Sequence, residues 1–489
     1  MTASGPIKLA ARERHDRRAA IRLIGAALVL AVATATVTTA ATRQFEQPGL
    51  TIAGIAQDPC QPQRALPVPA RLSGQFEPDS SILRTAGGVY VAPGRAAPLS
   101  PAESACVAAT ERADRNWLDT GRVPGVTATQ RSIAIRALLE LRLAVRPDGA
   151  VLAGWRGGQE YEYAWPRDSS WVAVAVTDTG HPAMAYRILQ FLQRMQGRNG
   201  IWAARYAPDG SGPVRDGRPA ELDADGWVPW AVWSWAVTQP LTPDSGPLTP
   251  QSQPRRELTL LWPMVARAAD AAARSLTGDG LPGPAMDYWE NSMQVTLGTA
   301  APLLVGRRAA ADLATDVGGA AAASDGRRWT AAAARLARAI AATFGRTGYQ
   351  RTPSPGSGAD AAVTFLGPPF AVPDAAVLQA ARSAQRALTV SNGGLRPGTS
   401  WPGTPDVAWT PETAFFALFD ASTGQHGQAA TLLAWLGAHR TRLGSLSEQV
   451  NSAGRAASVA PLAWTDAVTL LALLAQSGPL PTVPVPPPS

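Results

Sequence analysis

A chain of 489 residues, 46% hydrophobic and 17% charged, has a globular composition with room for one large domain or two ordinary ones, which excludes wholesale disorder. The formal net charge is +7, but seven cations against two anions before Gln44 supply most of it. What remains offers no basic face interleaved with aromatics, so nucleic-acid binding is not expected.

In chain order, a basic segment over 1–22 precedes Leu23 to Ala41, LIGAALVLAVATATVTTAA, which is uncharged and close to the length needed to cross a bilayer. Positive charge stays inside, so the pattern predicts a cytoplasmic N terminus, a single-pass anchor in the cell membrane over 23–41 and an extracytoplasmic remainder. A cleaved signal segment, which would make the protein secreted, is the alternative. Residues 42–100, rich in Pro, Gly and Ser, read as a linker with short extended pieces such as Gly88 to Ala92.

Over 101–477 apolar residues recur at helical spacing. Segments are predicted near 101–119, 127–145, 167–179, 182–197, 222–238, 252–276, 287–300, 301–317, 325–346, 372–388, 410–440 as a pair, and 457–476. So many amphipathic helices, joined by unequal loops and lacking a 34- or 40-residue repeat, predict an all-α domain closed into a ring of helical hairpins with a pocket at one end. A Pro/Ser/Thr-rich insertion lies between Pro240 and Arg255, and the Pro-rich stretch 478–489 reads as an extended tail. A monomer is expected.

Cys60 and Cys106 allow one pairing, which an oxidising compartment would preserve, with free buried thiols as the alternative. The four histidines are scattered, with no HExxH, CxxC or acidic calcium loop, so no metal or cofactor is expected. No GxSxG elbow, GxGxxG turn or P-loop supports serine hydrolysis, dinucleotide chemistry or phosphoryl transfer.

The 16 tryptophans are unevenly placed, and flat aromatic faces suit the C–H faces of sugar rings. Trp227, Trp230 and Trp233 sit at helical spacing and read as packing. Three other segments combine aromatics or irregular turns with charge. In YEYAWPRDSSW, Tyr161 to Trp171, Arg167 and Asp168 open a helix, where they either cap it as an ion pair or hold adjacent sugar hydroxyls. In MDYWENSMQVTLG, Met286 to Gly298, Glu290 follows Trp289 at a predicted helix start, and an apolar neighbour favours a protonated carboxyl. In the Ser/Asn/Gly-rich stretch from Gly444, Glu448 has surroundings that suit an ionised carboxylate.

Together and in this order, these segments resemble the glucoamylase-like family, glycoside hydrolase family 15, over about residues 130–475. The family's YxYxWxRD pattern is matched by Tyr161, Tyr163, Trp165, Arg167 and Asp168, its WE segment by Trp289 and Glu290, its SEQ segment by Ser447, Glu448 and Gln449, and its Ala-Pro-Leu-x-Trp ending by Trp464. The resemblance implies an (α/α)6 barrel and inverting, exo-acting hydrolysis of an α-glucan or α-glucoside from the non-reducing end, with release of β-glucose. It implies Glu290 as general acid, Glu448 as general base with Tyr161 holding the water, and Arg167 and Asp168 on the terminal sugar. Arg396 in LRPGTSWPG matches a further sugar-contacting arginine, Trp165, Trp289 and Trp464 would wall the site, and Trp202 and Trp401 are further candidates. Two departures stand out. Asn291 replaces an acid that serves the leaving sugar in fungal members, and the stretch before the helices is too short for the β-sandwich common in bacterial ones. A non-hydrolytic glycan-binding or scaffold protein on the same fold is the alternative.

Overall fold

Along the chain, α-helices alternate between a half-exposed and a fully buried environment in the computed structural model of the protein, which describes residues 49–156, 161–239 and 253–485. After α1 (Pro101–Thr120), the half-exposed set is α2 (Ala128–Ala144), α4 (Pro182–Met195), α6 (Gln253–Arg274), α8 (Ala320–Thr343), α9 (Ala375–Leu388) and α11 (His426–Ala438). Between them run α3 (Pro166–Asp178), α5 (Ala224–Thr238), α7 (Leu297–Val317), a 3-10 segment Ala361–Leu366, α10 (Thr410–Ser422) and α12 (Ala463–Ala475). Each of these inner elements packs on the next, and α12 returns to α3, so the ring closes.

Sequence explains the division. An amphipathic stripe buries one face, whereas a helix apolar all round is stable only when enclosed. All of α12, AWTDAVTLLALLA, is buried, as is α3 from Pro166 to Thr177. The aromatic centre is built on Trp171, whose ring centroid lies 5.0–6.4 Å from those of Trp227, Trp230, Phe365, Phe370, Phe415 and Trp464. The tryptophans of α5 are thus packing residues. Where α5 crosses α7, a Cβ on Gly226 would lie 2.1 Å from the Pro302 carbonyl oxygen, so only glycine admits this approach.

Several expectations are corrected. The two helices expected over 287–300 and 301–317 are one, α7, capped by the Thr296 side chain. Pro302 lies inside this helix, and residues 287–296 form an irregular loop instead of a first helix. The inner 3-10 segment was not anticipated, because six residues between Gly- and Pro-rich turns carry no period to detect.

Residues 49–100 are not a linker. β1 (Ile52–Gln57) and β2 (Ala65–Pro69) form one antiparallel sheet, and β3 (Gln75–Phe76), β4 (Leu83–Thr85), β5 (Gly88–Ala92) and β6 (Arg95–Ala97) form another. Ala53, Ala56, Leu66, Val68, Leu83 and Tyr90 make a core with Leu443, while Ile52 and Ile55 pack with Leu143 and Ala144 of α2. Buried on both faces, β1 shows no apolar–polar alternation, which hides it in the sequence. The described residues of 49–401 and 405–485 belong to one compact unit.

The expected cytoplasmic flank and anchor fall within residues 1–48 and lie outside the described residues, as does 240–252 of the insertion. Among the described residues no helix is long and apolar enough to cross a membrane. The tail is irregular over 478–485, yet Val483 is fully buried against the helical core.

Cys60 and Cys106 are joined by a disulfide that links the β1–β2 turn to α1. Closing a loop of sequence separation 46 stabilises the fold by about 4 kcal/mol on loop-entropy grounds. Cys60→Ser/Cys106→Ser should lower the melting temperature by several degrees, checked by thermal unfolding with and without reductant. A double variant that melts with the parent would show that the bridge carries no stability.

Candidate active site

The N-terminal ends of the inner elements converge, and the polar side chains cluster there. Helix N-termini present unpaired N–H groups and positive dipole ends, so this end of the ring tolerates buried acids. Arg167, at the second position of α3, holds most of them. Its guanidinium pairs with Glu221, with Asp223 at 3.3 Å, with Asp168 at 3.6 Å and with Glu290 at 3.5 Å, and it lies 4.8 Å above the Trp464 ring.

One cation does not neutralise four carboxyls. Burial pushes Asp168 up to about 6 and Glu221 up to about 8 despite the Arg167 charge, and it raises Asp223 as well. Arg167 itself is held more firmly protonated, because the charges of Glu221, Asp223 and Asp168 outweigh its desolvation. Part of the cluster therefore stays protonated near neutral pH.

A second buried arginine shapes the loop before α7. Arg351 pairs with Asp287 and Asp360, both at 3.1 Å, donates to Asn291 Oδ1 at 3.3 Å, and stacks 3.4 Å above Trp289. Asp287 accepts from the Trp289 N–H, and the Tyr288 hydroxyl donates to Asp360. Residues 287, 288, 289 and 291 are pinned in this way, and Glu290 is left projecting from a left-handed backbone, φ 53°. That conformation costs a non-glycine residue about 1–2 kcal/mol and persists because its neighbours are fixed. Glu290 is thus in a turn, closed by its N–H to the Asp287 carbonyl, and not at a helix start.

Each expected carboxyl has its own donors. Glu290 Oε1 accepts from Trp165 Nε1 at 3.1 Å, and Oε2 accepts from Arg218. Glu448 accepts from the Tyr161 hydroxyl, 3.2 Å from both oxygens, and from Ser458 Oγ. Burial raises Glu448, while the Ser458 and Tyr161 hydrogen bonds and the Arg156 charge pull it back. Its backbone is held on both sides, by its N–H to Val459 and by the Thr410 N–H to its carbonyl, beside the short sheet β7 (Ala408–Trp409), β8 (Gln449–Val450) and β9 (Ala456–Ala457).

The structure therefore brings together Tyr161, Trp165, Arg167, Asp168, Trp289, Glu290, Glu448 and Trp464. Arg396 is half-buried in the loop after α9, and among the described residues no hydrogen bond or ion pair joins its side chain to this cluster; Arg351 is the arginine that meets Trp289. Trp202 is fully buried with its N–H on the Leu192 carbonyl, so it supports the fold and does not wall the site. Trp401 meets Trp289 edge-on at 5.0 Å. Arg218, Glu221, Arg351, Asp360, Glu412 and Ser458 were not anticipated; only the acidic run LDADGW beside Glu221 gave any signal. Among the described residues no cluster of His, Cys, Asp and Glu is arranged to hold a metal ion.

Glu412 sits at the third position of α10 with Oε2 unpartnered and fully enclosed. Burial, reinforced by the charges of Glu448 and Asp360, pushes it up to about 8. A carboxyl raised in the folded state binds its proton there after the unfolded chain has lost it. Its contribution to stability is therefore complete below about pH 4 and is lost as pH rises through 8. Glu412→Gln, which keeps shape without titrating, should gain in melting temperature over the parent between pH 5 and pH 8.5. A constant difference across that range would contradict the buried, protonated state.

No protein-family model matches the chain. An uncharacterized glycosyl hydrolase of Methanocaldococcus jannaschii is 25% identical over 167 residues, which is 34% of this chain and about a quarter, 24%, of that protein. Among solved structures, a glycosidase variant in complex with glucose aligns with TM-score 0.56 and 18% identity over 71% of this chain and 96% of its own. The family 15 glucoamylase from Hypocrea jecorina aligns with TM-score 0.55 and 13% identity over 76% of this chain and 73% of its own. At these identities the likeness is one of fold: the helical ring of this chain resembles the fold of glycosidases and glucoamylases.

Proposed function

We propose that the protein is a glycoside hydrolase that inverts configuration, acts from the non-reducing end of an α-glucan or α-glucoside and releases β-glucose. The observation that carries this reading is the pair of separately held carboxyls at one end of the ring, Glu290 on Trp165 and arginine, Glu448 on two hydroxyls. Likeness of fold to glycosidases, including one bound to glucose, supports it.

In the proposed reaction Glu448 accepts a proton from a water held with Tyr161, and the water oxygen attacks the anomeric carbon. The bond from that carbon to the glycosidic oxygen breaks, and the oxygen takes the proton of Glu290. One water is consumed and one β-configured sugar is released, while the proton on Glu448 returns to solvent and Glu290 is reprotonated. Glu448 has surroundings suited to its part. Two hydroxyl donors favour an ionised Glu448, and its burial keeps it basic enough to act near neutral pH. Arg167 and Asp168 close the inner end of the pocket and hold the terminal hydroxyls, which restricts cleavage to chain ends, with Trp165, Trp289 and Trp464 as walls.

The disulfide fits an oxidising compartment, and with the uncharged stretch 23–41 it supports an extracytoplasmic protein tethered to the cell membrane.

The test is NMR observation of the first anomer released when purified full-length protein is given maltose, isomaltose, trehalose and longer α-glucans. β-Glucose should appear first. α-Glucose first would exclude inversion, and no release from the whole panel by folded protein would favour a glycan-binding role. Glu290→Ala and Glu448→Ala should each lower turnover by on the order of 10²–10⁴-fold while the protein stays folded by circular dichroism. Near-parental rates in either variant would remove that residue from its proposed role.

A further inference from the structure

The proposed acid is held by a closed circuit of side chains of which the proposed reaction uses only Trp165, as a wall. Arg218 comes from the irregular loop between Tyr206 and Glu221, which is anchored by mutual backbone bonds between Tyr206 and Ala164 and by the Val214 N–H to the Arg205 carbonyl. Its guanidinium bonds to Glu290 Oε2 and lies 3.2 Å from Asp216. Asp216 accepts from Arg205 Nε at 2.9 Å, and Arg205 lies 4.6 Å over the Tyr163 ring and 5.0 Å over the Trp165 ring. Trp165 closes the circuit through its N–H to Glu290 Oε1.

The two oxygens of Glu290 are not equivalent. Oε1 is enclosed by Trp165 and Arg167, whose own partners are buried. Oε2 is covered by Arg218, and this pair is partly open, with 30% of the Arg218 side chain and 24% of the Glu290 side chain exposed. Oε2 is therefore the oxygen that a glycosidic oxygen can approach. It cannot carry a proton toward that oxygen while it accepts from a guanidinium.

Resting on the reading of Glu290 as the acid, we propose that Arg218 is a positioning residue: it holds the Glu290 carboxylate in the resting site and shifts from Oε2 onto Asp216 when the acid takes up its proton. The charges around Glu290 define what this exchange does. Arg167 and Asp168 face it from α3, Glu221 and Asp223 from the turn before α5, Arg218, Asp216 and Arg205 from the loop side, and Glu448 from across the pocket, while Asp287 is occupied by Arg351. Of the two cations on Glu290, Arg167 is committed to three other carboxyls, and among the described residues Arg218 has the single alternative partner Asp216. Arg218 is therefore the cation free to move, and Asp216 is the group that draws it away.

Two variants should act with opposite sign. Arg218→Ala removes a cation that favours the ionised acid, so the upper limb of the kcat/KM profile should move to higher pH by on the order of one pH unit, with kcat falling more than KM rises. Asp216→Asn removes the competing partner, leaves Arg218 wholly on Glu290 and should move the limb to lower pH. Arg218→Lys should stay near the parent. A merely structural disturbance would not give shifts of opposite sign. The same titration is to be read in the resting full-length protein by carboxyl ¹³C NMR with labelled glutamate, using Glu290→Gln for assignment, and the Glu290 signal should follow the same two directions. An unmoved signal in Arg218→Ala, or both variants moving it the same way, overturns the inference. Because the NMR titration needs no turnover, a chain that hydrolyses nothing in the panel fails the proposed function alone.

Discussion

The site is organised by a buried cation that touches four carboxyls. Arg167 ties α3 to the turn before α5 through Glu221 and Asp223, to the loop before α7 through Glu290, and to α12 through the face of Trp464. Removing one partner of a buried ion pair costs about 3–5 kcal/mol, because the other charge is left without compensation. Here the uncompensated charges would be several and mutually repelling, so the cluster at this end of the ring depends on this guanidinium. The raised Asp168 and Glu221 show the other side of the same balance, since burial already keeps part of the cluster protonated.

The helical ring makes such a cluster tolerable. Its inner helices are enclosed on every side, and the aromatic centre around Trp171 leaves them little freedom to shift. Their N-terminal ends form one surface, where backbone N–H groups and dipole ends offset negative charge. One inner position is a six-residue 3-10 segment instead of a full helix. Asp360 caps that segment and also binds Arg351 and Tyr288, so the shortest wall of the ring is the one that anchors the loop carrying Glu290.

Much of this was legible in the sequence, and the parts that were not share a cause. Tyr161, Trp165, Arg167 and Asp168 stand within eight residues at a helix entry with a proline among them, a pattern with both a local and a chemical reading. The tryptophans of α5 declared themselves as packing by their spacing. Arg351, Arg218 and Ser458 lie in irregular segments, where no period relates a residue to its surroundings and only the closed ring brings them in. Arg396 had a plausible motif, but its neighbour Gly398 is what approaches Trp289: a Cβ there would lie 2.4 Å from the ring. Apart from Gly88–Ala92, which read as extended and is β5, the strands of residues 49–100 escaped for a third reason. They are short, and the longest of them is buried on both faces.

The two central carboxyls illustrate how local sequence sets a long-range geometry. Glu290 and Glu448 are 158 positions apart, on loops that enter from different sides of the ring. Each is nonetheless held by a donor from one short segment, Glu448 by the hydroxyl of Tyr161 and Glu290 by the indole of Trp165. Tyr161 and Trp165 are four residues apart, with ring centroids 6.4 Å from each other. Both carboxyls are therefore referenced to the entry of α3 and not only to their own loops. A movement of either loop would have to break a bond to that segment before it altered the gap between the carboxyls, and in the proposed reaction, which requires a water to fit between base and sugar, that gap is the quantity to be protected.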